Sequence, residues 1–152
     1  MRVILSLLLT GLLTTSLSAQ SIEQKDHTQD IAVVKSFIAD LADENKALDV
    51  ILSQHLIIQN PSNNLYDYLE ASLQEVRINL MAKNTNDIVY MPYGNMLRKE
   101  ISDIDTEDLD PQSMYFLHYK KRQMLAVYVE NGKIGSFTLV SKGYNKAHFV
   151  RY

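Results

Sequence analysis

Apolar residues recur every three to four positions in the first half of the chain, a spacing that predicts helices. A first helix begins at Thr28 or Asp30, either of which can cap it. Its apolar stripe consists of Ile31, Val34, Phe37, Ile38 and Leu41. A shorter helix covers residues 46–54, and the apolar segment 56–58 that follows predicts a brief strand.

The longest helix is predicted by a stripe whose members are four, four, three and four residues apart. They are Leu65, Leu69, Leu73, Val76 and Leu80. Ser62, Asn63 or Asn64 supplies the N-cap, and residues 84–86 end the helix. We expect this helix to cover a broad sheet with its apolar face.

Beyond residue 86 the apolar positions alternate, which predicts β-strands. The strands cover residues 87–91, 114–119, 124–130, 133–140 and 147–152. Residues 96–112 form a connector with six acidic side chains. We expect this acidic connector to carry a helix or to form a lid.

The dipeptide Asn131-Gly132 predicts a two-residue hairpin turn, because such a turn needs a positive φ at both positions. Its register pairs Glu130 with Lys133, Val129 with Ile134 and Tyr128 with Gly135. One face then holds Leu125, Val127, Val129, Ile134, Ser136 and Thr138, and the other holds Met124, Ala126, Tyr128, Phe137 and Leu139. Neither face is polar, so one is expected to meet the helices and the other to enclose a cavity or meet a second subunit.

The order of helix, helix, short strand, long helix and antiparallel strands over residues 28–152 resembles the nuclear transport factor two-like superfamily. The resemblance rests on element order and on the segment 48–58, without a signature motif. It implies an α+β fold in which N-terminal helices, including one long helix, pack on a curved antiparallel sheet of about four to six strands. It also implies a pocket open at one end and, as in many members, a dimer through the outer sheet face. Isomerases of this superfamily use a pocket aspartate, and no motif places one here.

The N-terminus carries a predicted secretory signal peptide, residues 1–19, with Arg2 before an apolar run at residues 3–13. The alternative, a membrane-spanning anchor, needs about 20 mostly apolar residues, and this run is shorter. Residues 20–27 are expected to be a mobile leader in which His27 is solvated. The chain is therefore expected to be exported to the periplasm or the extracellular space, with no membrane anchor.

Composition narrows the function classes. The chain has 152 residues, 46% of them hydrophobic, a formal charge of −3 and no cysteine. One packed domain, residues 28–152, fits this length. The lack of cysteine excludes disulfides, thiolate nucleophiles and cysteine zinc sites, and the acidic balance argues against nucleic acid as a partner. No cofactor and no metal are predicted.

His118 is the candidate general base, because a neutral histidine in an apolar cleft can titrate near neutrality. An even-length connection after its strand would place it on one surface with Phe116, Val127, Ser136 and Thr138. His118, Ser136 and Thr138 are therefore the candidate ligand-binding residues. The alternative is a structural histidine, since no carboxylate can be assigned to it. His55, at the end of the second helix, is explained by the helix dipole.

Three tyrosines, Tyr115, Tyr119 and Tyr128, are predicted to share one sheet face and are the candidate interface residues, with ordinary packing as the alternative.

Two charged segments are also informative. The acidic residues Asp103, Asp105 and Glu107 resemble the start of a calcium loop, but Asp108 and Met114 replace its glycine and glutamate. Lys120, Lys121 and Arg122 form a basic hairpin tip, typical of solvated turn residues.

These patterns predict an exported, non-catalytic binding module for a small apolar ligand or a protein partner. One alternative is a small isomerase, dehydratase or cyclase that uses the cone pocket. A second alternative is a structural homodimer of the cell envelope.

Overall fold

Three helices form where the apolar stripes predict them, and a sheet follows. The structure is a computed structural model that describes residues 25–152. The helices of this part are α1 (Thr28–Ala42), α2 (Leu48–His55), α3 (Asn63–Met81) and α4 (Arg98–Ile101). The strands are β1 (Val89–Pro92), β2 (Met114–Tyr119), β3 (Arg122–Glu130), β4 (Lys133–Ser136), β5 (Leu139–Gly143) and β6 (Lys146–Phe149). The predicted signal peptide, residues 1–19, lies outside the described residues, as do residues 20–24.

The long helix α3 begins as predicted, because the Ser62 side chain accepts a hydrogen bond from the Leu65 backbone N–H. Strands β1 to β4 form an antiparallel sheet in sequence order, and β5 pairs with β6 in a second, two-stranded sheet. The first helices and α3 pack on the four-stranded sheet through one apolar cluster. The predicted α+β class, with helices that include one long helix packed on antiparallel strands, is confirmed. Within residues 25–152, no helix is both long and apolar enough to span a membrane.

The hairpin of β3 and β4 confirms most of the predicted register. Glu130 pairs with Lys133 and Val129 with Ile134, whereas Tyr128 pairs with Ser136 and not with Gly135. The position requires glycine, because a Cβ added at Gly135 would lie 2.9 Å from Tyr128 Cδ1. The backbone bulges at this glycine, which lets the tyrosine ring lie over it.

The predicted strand at residues 133–140 is broken into β4 and β5. Ser136 is fully buried, and its Oγ accepts a hydrogen bond from the Thr138 N–H at 3.1 Å. This local bond turns the chain, after which Leu139 begins the pairing with Phe149 of β6.

Both faces of the four-stranded sheet are covered by the chain itself. The helix side holds Tyr115, Leu117, Val127, Val129 and Ile134. The outer side holds a second cluster, made of Met96, Leu109, Met114, Phe116, Ala126, Tyr128 and Phe149. The acidic connector, which carries α4, covers this outer side and is tied to β6 by a 2.8 Å bond from the Ala147 N–H to the Asp103 carbonyl. The second apolar face therefore meets neither an open cavity nor solvent.

Candidate functional site

The structure does not bring His118, Ser136 and Thr138 together. Ser136 and Thr138 bond to each other, and Thr138 Oγ1 lies 2.6 Å from Tyr152 Oη. Ser136 of β4 pairs with Tyr128 of β3, which in turn pairs with Met114 of β2. His118 lies four residues beyond Met114 on β2 and pairs with Gln123. Along a strand, four residues span roughly 13 Å. The predicted common surface is therefore wrong.

The error comes from the register of β2 and β3. The prediction assumes a four-residue connection, residues 120–123, whereas the observed turn has two residues and β3 begins at Arg122. That difference alone keeps the faces, because both lengths are even, but a β-bulge between Leu117 and His118 shifts the pairing by one further residue. Phe116 consequently pairs with Ala126 on the outer face, and Val127 faces the helices. A register change of one residue exchanges the two faces of a strand.

His118 itself lacks the partners of a catalytic histidine. Its Nδ1 is buried and has no hydrogen-bond partner in the described part of the chain. No carboxylate of residues 25–152 lies within ion-pair distance of its ring, whereas His55 and His148 each have one. Within residues 25–152, no hydrogen bond to Nδ1 orients the ring as a general base requires.

The three candidate interface tyrosines do not share a face. Tyr115 is fully buried in the helix-side cluster, Tyr128 belongs to the outer cluster, and Tyr119 packs at the margin of the helix side. Alternation along β2 and β3 separates the first two, because Tyr115 pairs with Val127 and Met114 with Tyr128. The predicted common face of Tyr115 and Tyr128 is therefore wrong.

The Tyr115 hydroxyl is the centre of a polar cluster. It donates to Asp30 Oδ2 at 2.8 Å and lies 2.9 Å from His27 Nδ1. Lys25 Nζ donates to the same Asp30 oxygen and to Ser113 Oγ. Burial, and next the hydrogen bond to the Asp30 carboxylate, raise the pKa of Tyr115 far above its usual value. These contacts hold residues 25–30 against β2, so His27 is not simply solvated.

Asp40 forms a second charged cluster between the ends of α1 and α2. Its Oδ2 lies 2.5 Å from both Lys46 Nζ and His55 Nε2. The hydrogen bond from Lys46, followed by that from His55, lowers the pKa of Asp40. This ion pair, which sequence spacing does not reveal, adds to the helix dipole as a reason for His55 at this position.

The acidic connector uses two of its carboxylates in ion pairs. Asp105 Oδ2 and Glu107 Oε1 lie 2.6 Å and 3.0 Å from Lys142 Nζ. The hydrogen bond from Lys142 is the main reason that the pKa values of both carboxyl groups are lowered. Over residues 25–152, no three histidine or carboxylate side chains converge as a metal-ligand set.

The main opening of interest lies between the end of α3 and the β2–β3 hairpin. We call it the basic groove: it has a volume of about 700 Å³ and is lined by Asn79, Lys83, Tyr119, Lys120, Arg122, Gln123 and Met124. Lys83 Nζ lies 5.7 Å and Lys120 Nζ 5.4 Å from the centre of the Tyr119 ring. The lining contains no carboxylate. Its three cations, Lys83, Lys120 and Arg122, form no ion pair within residues 25–152.

The turn that borders the basic groove has an unusual backbone. Lys120 (φ 48°) and Lys121 (φ 66°) both lie in the left-handed region, the geometry that favours Asn-Gly. Residues with a Cβ pay about 1–2 kcal/mol each for this conformation. Such strain is concentrated at functional sites. The turn beside the basic groove is therefore locally strained.

A second, smaller opening lies on α1 and the segment before β1. We call it the tyrosine notch: it measures about 280 Å³ and is lined by Lys35, Ile38, Ala39, Thr85, Asn86, Ile88 and Tyr90. Lys35 Nζ lies 5.5 Å from the centre of the Tyr90 ring. Burial raises the pKa of Tyr90 above its usual value.

The basic tip is visible in the sequence, whereas the basic groove is not. Lys83 completes the groove, but it lies far from Lys120 along the chain, and no spacing or motif connects the two. Only the packing of α3 on the sheet brings them together. A lysine just after the end of a long helix was the available signal, and it is too common to identify a site.

No family model, no curated protein and no solved structure matches this chain. What the fold supports is the coarser part of the family resemblance. The chain has a small α+β fold, with helices packed on an antiparallel sheet, that is compatible with a cone-like fold.

Proposed function

We propose that this protein is an exported, non-catalytic binding domain that holds an anionic ligand in the basic groove. The observation that carries the proposal is the lining of the groove, where Lys83, Lys120 and Arg122 meet without a carboxylate. The whole chain has a net negative charge, so this concentration of positive charge departs from the average of the molecule.

The filled interior supports a ligand at the edge of the fold. Phe37, Leu69, Leu73, Tyr115 and Leu117 are all fully buried between the helices and the sheet. A small apolar ligand, which the sequence predicts, would need this space. An anion at the rim needs none of it, and the resemblance to the nuclear transport factor two-like superfamily is then a proposal about ancestry of the fold and not about an interior pocket.

The side chains of the groove are suited to binding. Arg122 presents a fork of donors that matches phosphate or carboxylate oxygens, and Lys83 and Lys120 add point charges. The amides of Asn79 and Gln123 supply further donors. No carboxylate or imidazole in the lining is available to accept a proton from a substrate. This donor-rich set supports binding and not general-base catalysis.

The test is a calorimetric titration of the purified protein with inorganic pyrophosphate. We expect wild type to bind and the double variant K83Q/R122Q to bind about a hundredfold more weakly, because two charge-assisted hydrogen bonds are lost. The matched control is K99Q, since Lys99 is exposed and lines neither opening. Equal affinities of wild type and K83Q/R122Q, or no binding by wild type, would overturn the proposal.

A further inference from the structure

The basic groove and the tyrosine notch open next to each other. Tyr90 of the notch pairs with Leu117, so Tyr119 of the groove is its diagonal neighbour across β1 and β2. Diagonal neighbours on one sheet face lie about 7–8 Å apart. Both tyrosines pack against the helix-side cluster and so lie on the same face. The segment that separates the openings runs from Lys83, in the groove, to Thr85 and Asn86, in the notch.

The two openings repeat one arrangement. In each, a lysine ammonium lies over a tyrosine ring: Lys35 over Tyr90, and Lys83 over Tyr119. A lysine held this way keeps its charge at the surface and loses less side-chain freedom when an anion binds. Lys35, like the groove cations, forms no ion pair in the described part of the chain.

No carboxylate of residues 25–152 lines either opening. Asp87 belongs to the segment between the openings, where its side chain is exposed and lines neither of them. Four cations line the two openings: Lys35 in the notch, and Lys83, Lys120 and Arg122 in the groove. A compact anion reaches one opening, whereas a chain with repeated charges reaches both.

We propose that the ligand is a linear polyanion that lies across the basic groove and the tyrosine notch together. This inference rests on the proposed function and specifies the class of ligand. The volume of the groove alone already equals that of a site for a drug-sized ligand and exceeds the need of a compact anion. The shared chemistry is a row of phosphate or carboxylate groups along a flexible chain.

The experiment compares ligands of increasing length at fixed salt concentration. Orthophosphate, pyrophosphate and a long polyphosphate form one arm, and a monouronate, a polyuronate and its neutral sugar counterpart form the other. We expect the long chain of one arm to bind about tenfold more tightly than its short member, because a second opening is engaged without a second loss of freedom. The preferred arm identifies the source of the anionic groups, and the neutral sugar should not bind.

Two single variants separate this inference from the function on which it rests. K35Q should remove most of the gain with chain length and leave pyrophosphate binding unchanged. K83Q should weaken both, and K99Q neither. If K35Q keeps the full gain with length while K83Q still weakens pyrophosphate, the linear polyanion is wrong and the basic groove stands. If K83Q/R122Q does not affect pyrophosphate, the proposed function itself is wrong. Thermal unfolding of each variant verifies that it folds.

Discussion

Two neighbouring hairpins of one sheet make the same two-residue turn from very different residues. Between β3 and β4 the turn is Asn131 (φ 50°) and Gly132 (φ 71°), the pair best suited to this backbone. Between β2 and β3 the turn is Lys120 (φ 48°) and Lys121 (φ 66°), whose side chains make the same backbone conformation strained. The unstrained pair Asn-Gly therefore occurs in one turn of this sheet and is absent from the turn beside the basic groove. The two turns therefore differ in backbone strain, and the strained one borders the basic groove.

The largest effect should come from moving the lysine pair to the relaxed turn. N131K/G132K forces a side chain on Gly132 at φ 71°. We expect the free energy of unfolding to fall by about 2 kcal/mol, because a residue with a Cβ is strained there. Urea denaturation measures this change. A urea midpoint of N131K/G132K equal to that of wild type would show that a lysine pair is no more strained in this turn than Asn-Gly.

The reverse exchange should give a smaller effect of opposite sign. K120N/K121G places the relaxed pair beside the groove and should raise the free energy of unfolding by about 1 kcal/mol, because the left-handed conformation is then cheap. The same denaturation experiment measures it. A loss of stability would show that contacts of the lysine side chains stabilise the turn. It would contradict the claim that their left-handed backbone destabilises the protein.

The third turn of the described chain provides an intermediate case. Tyr144 (φ 50°) and Asn145 (φ 56°) join β5 to β6, and Tyr144 is fully exposed. Y144N should raise the free energy of unfolding by about 0.5 kcal/mol, since asparagine tolerates this conformation better than tyrosine. Because this turn lies outside both openings, pyrophosphate affinity should not change. An altered affinity would show that stability alone affects binding.

Acid should affect both turns equally, because the Asp40 cluster lies between helices. The pKa of Asp40 is lowered in the folded protein, so its contribution is present above the ordinary value of 3.8 and is lost as the pH falls through the folded value. Thermal unfolding from pH 6 downward should show a loss in wild type that is smaller in D40N. The stability difference between wild type and K120N/K121G should stay constant over this range. A difference that disappears with acid would place a titrating group in the turn.

Elements predicted from local patterns agree with the structure, whereas predictions that depend on the pairing register of β2 and β3 do not. The stripe from Leu65 to Leu80 and the pair Asn131-Gly132 each fix their element within a few residues, since helix periodicity and backbone φ act locally. The faces of Tyr115 and Tyr128 depend on a β-bulge between Leu117 and His118, which no sequence pattern predicts, and a shift of one residue exchanges the two faces of a strand.

The site could not be assembled from the sequence for a different reason. Its parts come from the end of α3 and from the β2–β3 hairpin, and they meet only through the packing of the long helix on the sheet. The three residues predicted to share a pocket, in contrast, were joined by an assumed register. Chemistry that depends on contacts between distant elements needs the three-dimensional structure, whereas the basic tip itself was visible as three adjacent letters.

Anion binding by the lysine turn is tested by the pyrophosphate affinity of K120N/K121G, measured by calorimetry beside wild type and Y144N. We expect this variant to be more stable than wild type and to bind about tenfold more weakly, because a charge that lines the groove is removed. Y144N should be more stable and bind as wild type does. A K120N/K121G protein that gains stability and keeps its full affinity would contradict the account, since the strained lysine turn would then have no role in anion binding.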